Sequence, residues 1–395
     1  NGRKWSCESV SEAKVHHLSL SGIPALSEME GLVSVRWSEQ FVAGGRHDTV
    51  YEKSTITFKT GEPTYRKIFS APQGDVIHPS PAVDEGNVFV GCDDGNLYCL
   101  AEKTGRILWK RDIGAQVRGR PIVIEQLVYA VGRQGKVFCL LRKNGSPKWV
   151  YECKSLVEGG LILHKESLYV ATEAGSIHRL SKKDGKLKWK TKGASQIVSA
   201  PTVDGKRAFI GDIGGLFLAY SLADGKKLWE FRTGNKIVAK AAISGNYVLV
   251  PGMDDHLYAL SRKTGIVSWR KSLGSIPGGM TVIEGLTTDP NSRPRSLLYA
   301  ALTKKEETVL LCANSRSGAT MWTTPLPTTV QGEPAVAEGR VYVGGTDGKI
   351  YCFNADDGTR LWSMNTGSEI RGGPAATGTA VFVANYHGSL FRIED

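Results

Sequence analysis

Apolar and polar residues alternate in short runs along nearly the whole chain. Pro81-Ala82-Val83 is apolar, Asp84-Glu85-Gly86 is a turn, and Asn87 to Gly91 (NVFVG) alternates again. Asp93-Asp94-Gly95 turns the chain back into Asn96 to Ala101 (NLYCLA). After Lys103-Thr104-Gly105 comes a fourth run, Arg106 to Arg111 (RILWKR). A period near two, many β-branched and aromatic residues, and Gly at the turns predict four short antiparallel strands within roughly 40 residues.

The pattern recurs. A small polar residue and Gly, three residues, then Trp appears as Thr104-Gly105 to Trp109, Asn144-Gly145 to Trp149, Asp184-Gly185 to Trp189 and Asp224-Gly225 to Trp229. It continues as Thr264-Gly265 to Trp269, Ser317-Gly318 to Trp322 and Asp357-Gly358 to Trp362. The tryptophan intervals are 40, 40, 40, 40, 53 and 40, too regular for chance. Units of this length and strand content are propeller blades, with Trp filling the wedge between neighbours. Residues 373–394 supply three strands of one more unit and stop; Thr60-Gly61 followed by Tyr65 supplies the fourth, with Tyr in place of Trp. The fold expected is therefore all-β: an eight-bladed β-propeller of four-stranded antiparallel blades, closed by an N-terminal strand joining the C-terminal strands. Closure removes exposed strand edges. Tyr65 and the seven tryptophans are the expected blade-docking residues. Residues 1–49 read as an arm or linker, in which Leu32 to Trp37 (LVSVRW) makes one strand, and residues 50–395 as a single propeller. The sixth unit carries an insertion around 287–307.

Composition agrees with this reading: 46 glycines and five methionines favour turns and strands over long helices. No apolar run approaches the ~18 residues of a spanning helix. The net charge of +11 suits acidic proteins, lipid head groups or nucleic acid as partners. The basic residues gather at the turn before each Trp: Lys103, Arg106, Arg142, Lys143, Lys182, Lys183, Lys186, Lys226, Lys227, Arg262 and Lys263. This predicts a basic face on one sector of the ring, for an acidic protein or a membrane surface. No exposed aromatic series interleaves with these residues, which argues against nucleic acid. Cys99, Cys139, Cys312 and Cys352 each lie six residues before the turn glycine, where another unit has Ala259, so the position calls for a small buried group. A Cys92–Cys153 pairing stays open at this point.

Aligning the units places His78, Arg118, Glu158, Gln331 and Arg371 at one innermost position, and Arg120, Lys240 and Glu333 two residues further on. Side chains two apart on a strand share a face. These eight residues are expected to ring the channel mouth as a socket for an anion or an acidic partner, with Gly119, Gly159-Gly160, Gly278-Gly279, Gly332 and Gly372-Gly373 allowing close approach at the axis. No catalytic residue and no metal ligand is singled out, because no GxSxG, HExxH or P-loop pattern occurs and the histidines are scattered.

The units Val88 to Trp109 and Val341 to Trp362 resemble the pyrroloquinoline-quinone-like repeat, a strand followed by Asp-Gly, Leu-Tyr-Ala-Leu, Thr-Gly and Trp. Leu257-Tyr258-Ala259-Leu260 with Thr264-Gly265 and Trp269 matches it most plainly. The resemblance runs from about Thr60 to the C-terminus. It implies two branches. Quinoprotein dehydrogenases hold their quinone and a calcium ion over the channel, clamped by adjacent cysteines. No Cys-Cys pair occurs here, which disfavours PQQ, calcium and redox catalysis. The chain is more similar to the non-catalytic, BamB-like branch. That implies a scaffold that binds protein partners in the periplasm or another extracytoplasmic space. Similar repeats also form domains of acyl-CoA-synthetase-like enzymes and of sensors.

Overall fold

The structure, a computed structural model, describes residues 63–394 apart from 78–79, 192–194, 287–294 and 306, together with the backbone of four upstream strands. Those strands form two pairs, Cys7–Glu8 with Ser19–Leu20 and Leu32–Ala43 with Arg46–Thr57. The second pair is an unbroken antiparallel hairpin from Leu32↔Thr57 to Ala43↔Arg46. One strand of it runs through positions 49 and 50, and the chain divides into two compact units at Thr64/Tyr65.

The second unit is a ring of eight four-stranded antiparallel sheets. Blade 1 contains Ala82–Asp84, Asn87–Gly91, Asn96–Ala101 and Ile107–Asp112. Blades 2 to 7 follow with first strands Val117–Ile124, Leu161–His164, Thr202–Val203, Ala242–Ser244, Met280–Leu286 and Ala335–Ala337. Their fourth strands are Pro147–Glu152, Leu187–Lys190, Lys227–Arg232, Val267–Ser272, Thr320–Leu326 and Arg360–Asn365. Blade 8 is composite: Ala375–Ala376, Val381–Ala384 and Ser389–Glu394 are completed by Thr64–Ser70. The extra length of blade 6 falls partly on 287–294, outside the described residues. No helix among the described residues is long and apolar enough to cross a membrane.

The core is divided among the seams between blades. Residues of blades 1 and 2 form one apolar cluster around Phe89, Leu97, Trp109, Val128 and Leu140, and each further seam has its own. Blades are thus two-sided sheets whose both faces read as apolar, which is why Val88–Val90 and Leu97–Leu100 are buried throughout.

The tryptophans lock these seams. The indole of Trp109 donates to the Arg142 carbonyl of the next blade at 2.7 Å, and Trp149, Trp189, Trp229, Trp269 and Trp322 donate in the same way across their own seams. The next blade's turn glycine lies flat on the ring: a Cβ on Gly145 would come within 2.6 Å of Trp109. Gly145 also has φ +67°, so both space and backbone call for glycine. Beside a one-residue bulge in the fourth strand, Trp109 pairs directly with Cys99 of the third, Trp149 with Cys139, Trp322 with Cys312 and Trp362 with Cys352. A small side chain there leaves room for the indole, which accounts for the recurring Cys and for Ala259 opposite Trp269. Burial pushes the thiols of Cys99 and Cys312 up to about 12 and about 11, so they remain neutral packing groups.

One expectation needs correction and one open question closes. Tyr65 does not take a tryptophan's place; it is 55% exposed, and Gly105 of blade 1 lies instead against the backbone and Cβ of Ile68, which is 9% exposed. Cys92 and Cys153 are separate free thiols, one in the seam of blades 8 and 1, the other in that of blades 2 and 3.

Candidate functional site

The innermost segments meet through glycine. A Cβ on Gly159 would lie 2.0 Å from the Ser199 carbonyl carbon, and one on Gly332 2.6 Å from that of Gly372. With backbones this close, the neighbouring side chains are directed into the axial channel. Arg118, Arg120, Glu158, Gln331, Glu333 and Arg371 line one cavity of about 350 Å³ together with Ser80 and four glycines. Lys240 does not join them. It lines a second cavity of about 340 Å³ with Ile162, Met280 and Glu333, so Glu333 is the residue common to both. Most of these residues precede their strands, Lys240 standing two residues ahead of Ala242–Ser244, so a two-residue strand period does not fix where their side chains lie. His78 lies outside the described residues.

The lining divides into paired and unpaired groups. Arg118 holds Asp93 at 3.0 Å and Glu158 at 3.2 Å; the other oxygen of Glu158 is held by Arg133, which reaches Glu173 at 3.8 Å. Gln196 donates to Glu173 at 3.0 Å and continues this arc from blade 1 to blade 4. Arg371 pairs with Glu369 at 2.8 Å and lies 4.3 Å over the ring of Tyr386. By contrast, the side chains of Arg120, Lys240 and Glu333 make no ion pair or hydrogen bond among the described residues. Desolvation holds the Arg120 guanidinium below its ordinary pKa, and the nearby Glu333 charge offsets this only in part. Arg120 is exposed to the channel, and a cation without a bonded partner there favours an anionic group brought from outside.

The basic turns are also of two kinds. Arg142 is 7% exposed and donates to Asp84, Glu85 and two backbone carbonyls, and Arg262 pairs with Asp204 at 3.4 Å. Both reach the first turn of the preceding blade, so these two arginines belong to the seams and not to the basic face. Lys182 is held by Glu166 at 3.3 Å. Lys103, Lys143, Lys183, Lys186, Lys226, Lys227 and Lys263 are exposed.

One recurring device escaped the sequence reading. The phenol of Tyr258 donates to Asp254 at 2.6 Å, and Tyr98–Asp94 and Tyr351–Asp347 repeat the contact. An Asp four residues before a Tyr ties the second turn of blades 1, 5 and 7 to the third strand. Burial and the carboxylate push the Tyr258 hydroxyl up to about 12. Tyr351→Phe is expected to lower the urea midpoint by the equivalent of about 1 kcal/mol, the ordinary worth of one such bond.

Three segments of the chain, residues 37–158, 153–310 and 305–395, match the family model described as outer membrane protein assembly factor BamB. The chain belongs to that family. No curated protein matches it. Among solved structures, BamB from Moraxella catarrhalis superposes with a TM-score of 0.66 at 16% identity, covering 85% of this chain and 100% of that one. The computationally designed Ika8 protein gives 0.71 at 15%, covering 83% and 99%. A quinohemoprotein alcohol dehydrogenase from Comamonas testosteroni gives 0.65 at 12%, covering 84% and 76%. At these identities the likeness is one of fold, shared by BamB and by a redox enzyme.

Most carboxylates at the mouth are paired, Glu333 being the exception. Asp93, Glu158, Glu173 and Glu369 are each held by a guanidinium, leaving them no free charge for a cation. Among the described residues no three His, Cys, Asp or Glu side chains converge as a metal site.

Proposed function

We propose that this chain is a non-catalytic scaffold of the BamB type, which docks partner proteins through its channel mouth, its loops and its basic turns in an extracytoplasmic compartment. The observation that carries the reading is the inner wall of the channel, where Arg120, Lys240 and Glu333 stand without bonded partners while the groups around them are neutralised in pairs. An acidic loop or chain terminus would supply the missing counter-charge to the two cations, and a basic residue beside it would meet Glu333. The exposed lysines of blades 3 to 5 add long-range attraction for an acidic protein, and for a membrane surface beside it.

The test is stoichiometric co-purification from native extract. The double variant Arg120→Glu/Lys240→Glu is expected to lose a partner held by the wild-type chain, and Lys183→Glu/Lys186→Glu to slow its association and flatten its salt dependence. A partner retained by both variants would overturn the reading.

The fold shared with quinohemoprotein alcohol dehydrogenase favours a second reading, a divergent quinoprotein. Titrating the purified chain with pyrroloquinoline quinone and calcium decides it: a saturable change in the quinone absorbance would support an enzyme, and an unchanged spectrum the scaffold.

A further inference from the structure

The seams of the ring are not equivalent at their outer flank. At one repeat position, where the fourth strand of a blade ends against the third strand of the next, three seams hold an aromatic pair. Phe69 and Tyr98 lie 5.1 Å apart between blades 8 and 1 and are 8% and 0% exposed. Tyr151 and His178 lie 5.9 Å apart between blades 2 and 3, with His178 1% exposed. Phe231 and Tyr258, between blades 4 and 5, also lie 5.1 Å apart in a T-shaped contact; Tyr258 is 6% exposed and Phe231 half-buried, and the pair borders an open groove of about 700 Å³. Val267, 41% exposed, extends its apolar lining.

Charge makes this groove different again. Arg232 and Arg270 stand exposed on its rim. The 40-residue repeat places Asp112, Glu152 and Lys192 at the position of Arg232 in blades 1 to 3, so the rim is acidic in blades 1 and 2 and basic in blades 3 and 4. The groove's one carboxylate, Asp254, accepts the Tyr258 phenol at 2.6 Å and the Gly234 amide at 2.7 Å. His256 donates through Nδ1 to the Asp254 carbonyl at 2.7 Å, which leaves Nε2 as an acceptor without a partner among the described residues.

We propose that this groove is a second docking site, separate from the channel, for an extended acidic peptide segment that inserts an aromatic side chain. The ring lies against Phe231 and Tyr258, where edge-to-face packing and apolar burial hold it. Flanking Asp or Glu side chains reach Arg232 and Arg270, whose planar guanidiniums take carboxylates in pairs of hydrogen bonds. A backbone amide of the segment donates to His256 Nε2. The proposal rests on the reading of the chain as a protein-binding scaffold and names the partner chemistry of one of its surfaces.

The experiment is fluorescence anisotropy on the whole chain with a labelled twelve-residue peptide in which Phe alternates with Glu. The control peptides carry Lys for Glu, or Ala for Phe. Saturable binding of the first peptide is expected, weakened about tenfold or more by Arg232→Glu/Arg270→Glu, by either control sequence, and by raised salt. Arg232 also donates to the Gly214 carbonyl at 3.1 Å, so far-UV circular dichroism and the urea midpoint of the variant are measured alongside; if they shift, Arg232→Gln/Arg270→Gln replaces it and is expected to weaken binding in the same direction. Absence of saturation up to about 1 mM peptide, a weak limit for such contacts, overturns the proposal. So does equal binding of the Lys peptide. Binding that survives the arginine changes and is lost with Arg120→Glu/Lys240→Glu overturns the groove and leaves the channel-mouth reading standing.

Discussion

Trp109→Ala is expected to lower the stability of the propeller by about 3–5 kcal/mol, the range for removing a large buried aromatic side chain. Its indole is 9% exposed, packs 6.0 Å from Phe89, carries Gly145 of blade 2 on its face, and donates to the Arg142 carbonyl at 2.7 Å. Removal opens a cavity that cannot collapse, because the floor is strand backbone on both sides. The loss should appear as a lower urea midpoint by intrinsic fluorescence and circular dichroism. Trp109→Phe keeps most of the ring and loses the hydrogen bond, so its cost should be nearer 1–2 kcal/mol. Gly145→Ala attacks the same contact from the opposite blade, with a Cβ 2.6 Å from the ring and φ at +67°. In the double variant Trp109→Ala/Gly145→Ala, the new methyl has room where the indole stood. The two losses should then add to less than their sum, the sign of a shared contact. Fully additive losses would show that Gly145 and Trp109 act independently, against the seam geometry described above.

The blades were legible because one large residue recurs at a fixed interval, and the seam that needs it also fixes its neighbours: Gly145 above it and Cys99 beside it. The composite blade was legible in outline, from three strands without a fourth. Its detail was not. The strand Thr64–Ser70 joins its sheet from the far end of the chain, so the turn-to-Trp spacing that chain continuity imposes elsewhere does not bind it, and Ile68 meets Gly105 where Tyr65 was expected. The basic turns misled for a related reason. Asp84 and Glu85, which bury Arg142, sit in another blade, and a pattern read along one strand cannot report a contact across a seam. At the channel the alignment found residues that line it, yet placed Lys240 in a ring it does not join, since Lys240 precedes its strand and the strand period does not govern it. The Asp–Tyr turn contact had a signal in plain view, Asp94/Tyr98, Asp254/Tyr258 and Asp347/Tyr351, which the strand alternation masked.

Acidification from pH 7.5 to 4.5 is expected to destabilise the wild-type ring by about 2–3 kcal/mol more than a His178→Phe variant. His178 is 1% exposed in the seam of blades 2 and 3, with Tyr151 on Nδ1 at 2.9 Å and Ser176 on Nε2 at 3.2 Å; Thr172 holds Ser176 at 2.9 Å. Burial, with a smaller contribution from the Lys190 charge, brings its pKa from 6.5 down to about 4. Between these values the unfolded chain binds a proton that the folded chain refuses. Stability from this group is therefore complete above about pH 6.5 and falls as the pH drops towards 4. Phe is the control because the repeat itself places Phe138 at this position in blade 2, so the site accepts a ring of that size. The variant leaves the Tyr151 hydroxyl short of one partner and should be less stable than wild type at pH 7.5. Its further loss on acidification should be smaller, so the two urea midpoints converge as the pH falls. Parallel curves over this range would mean that His178 takes up its proton without unfolding the seam, and that the buried chain from Tyr151 to Thr172 does not hold it neutral.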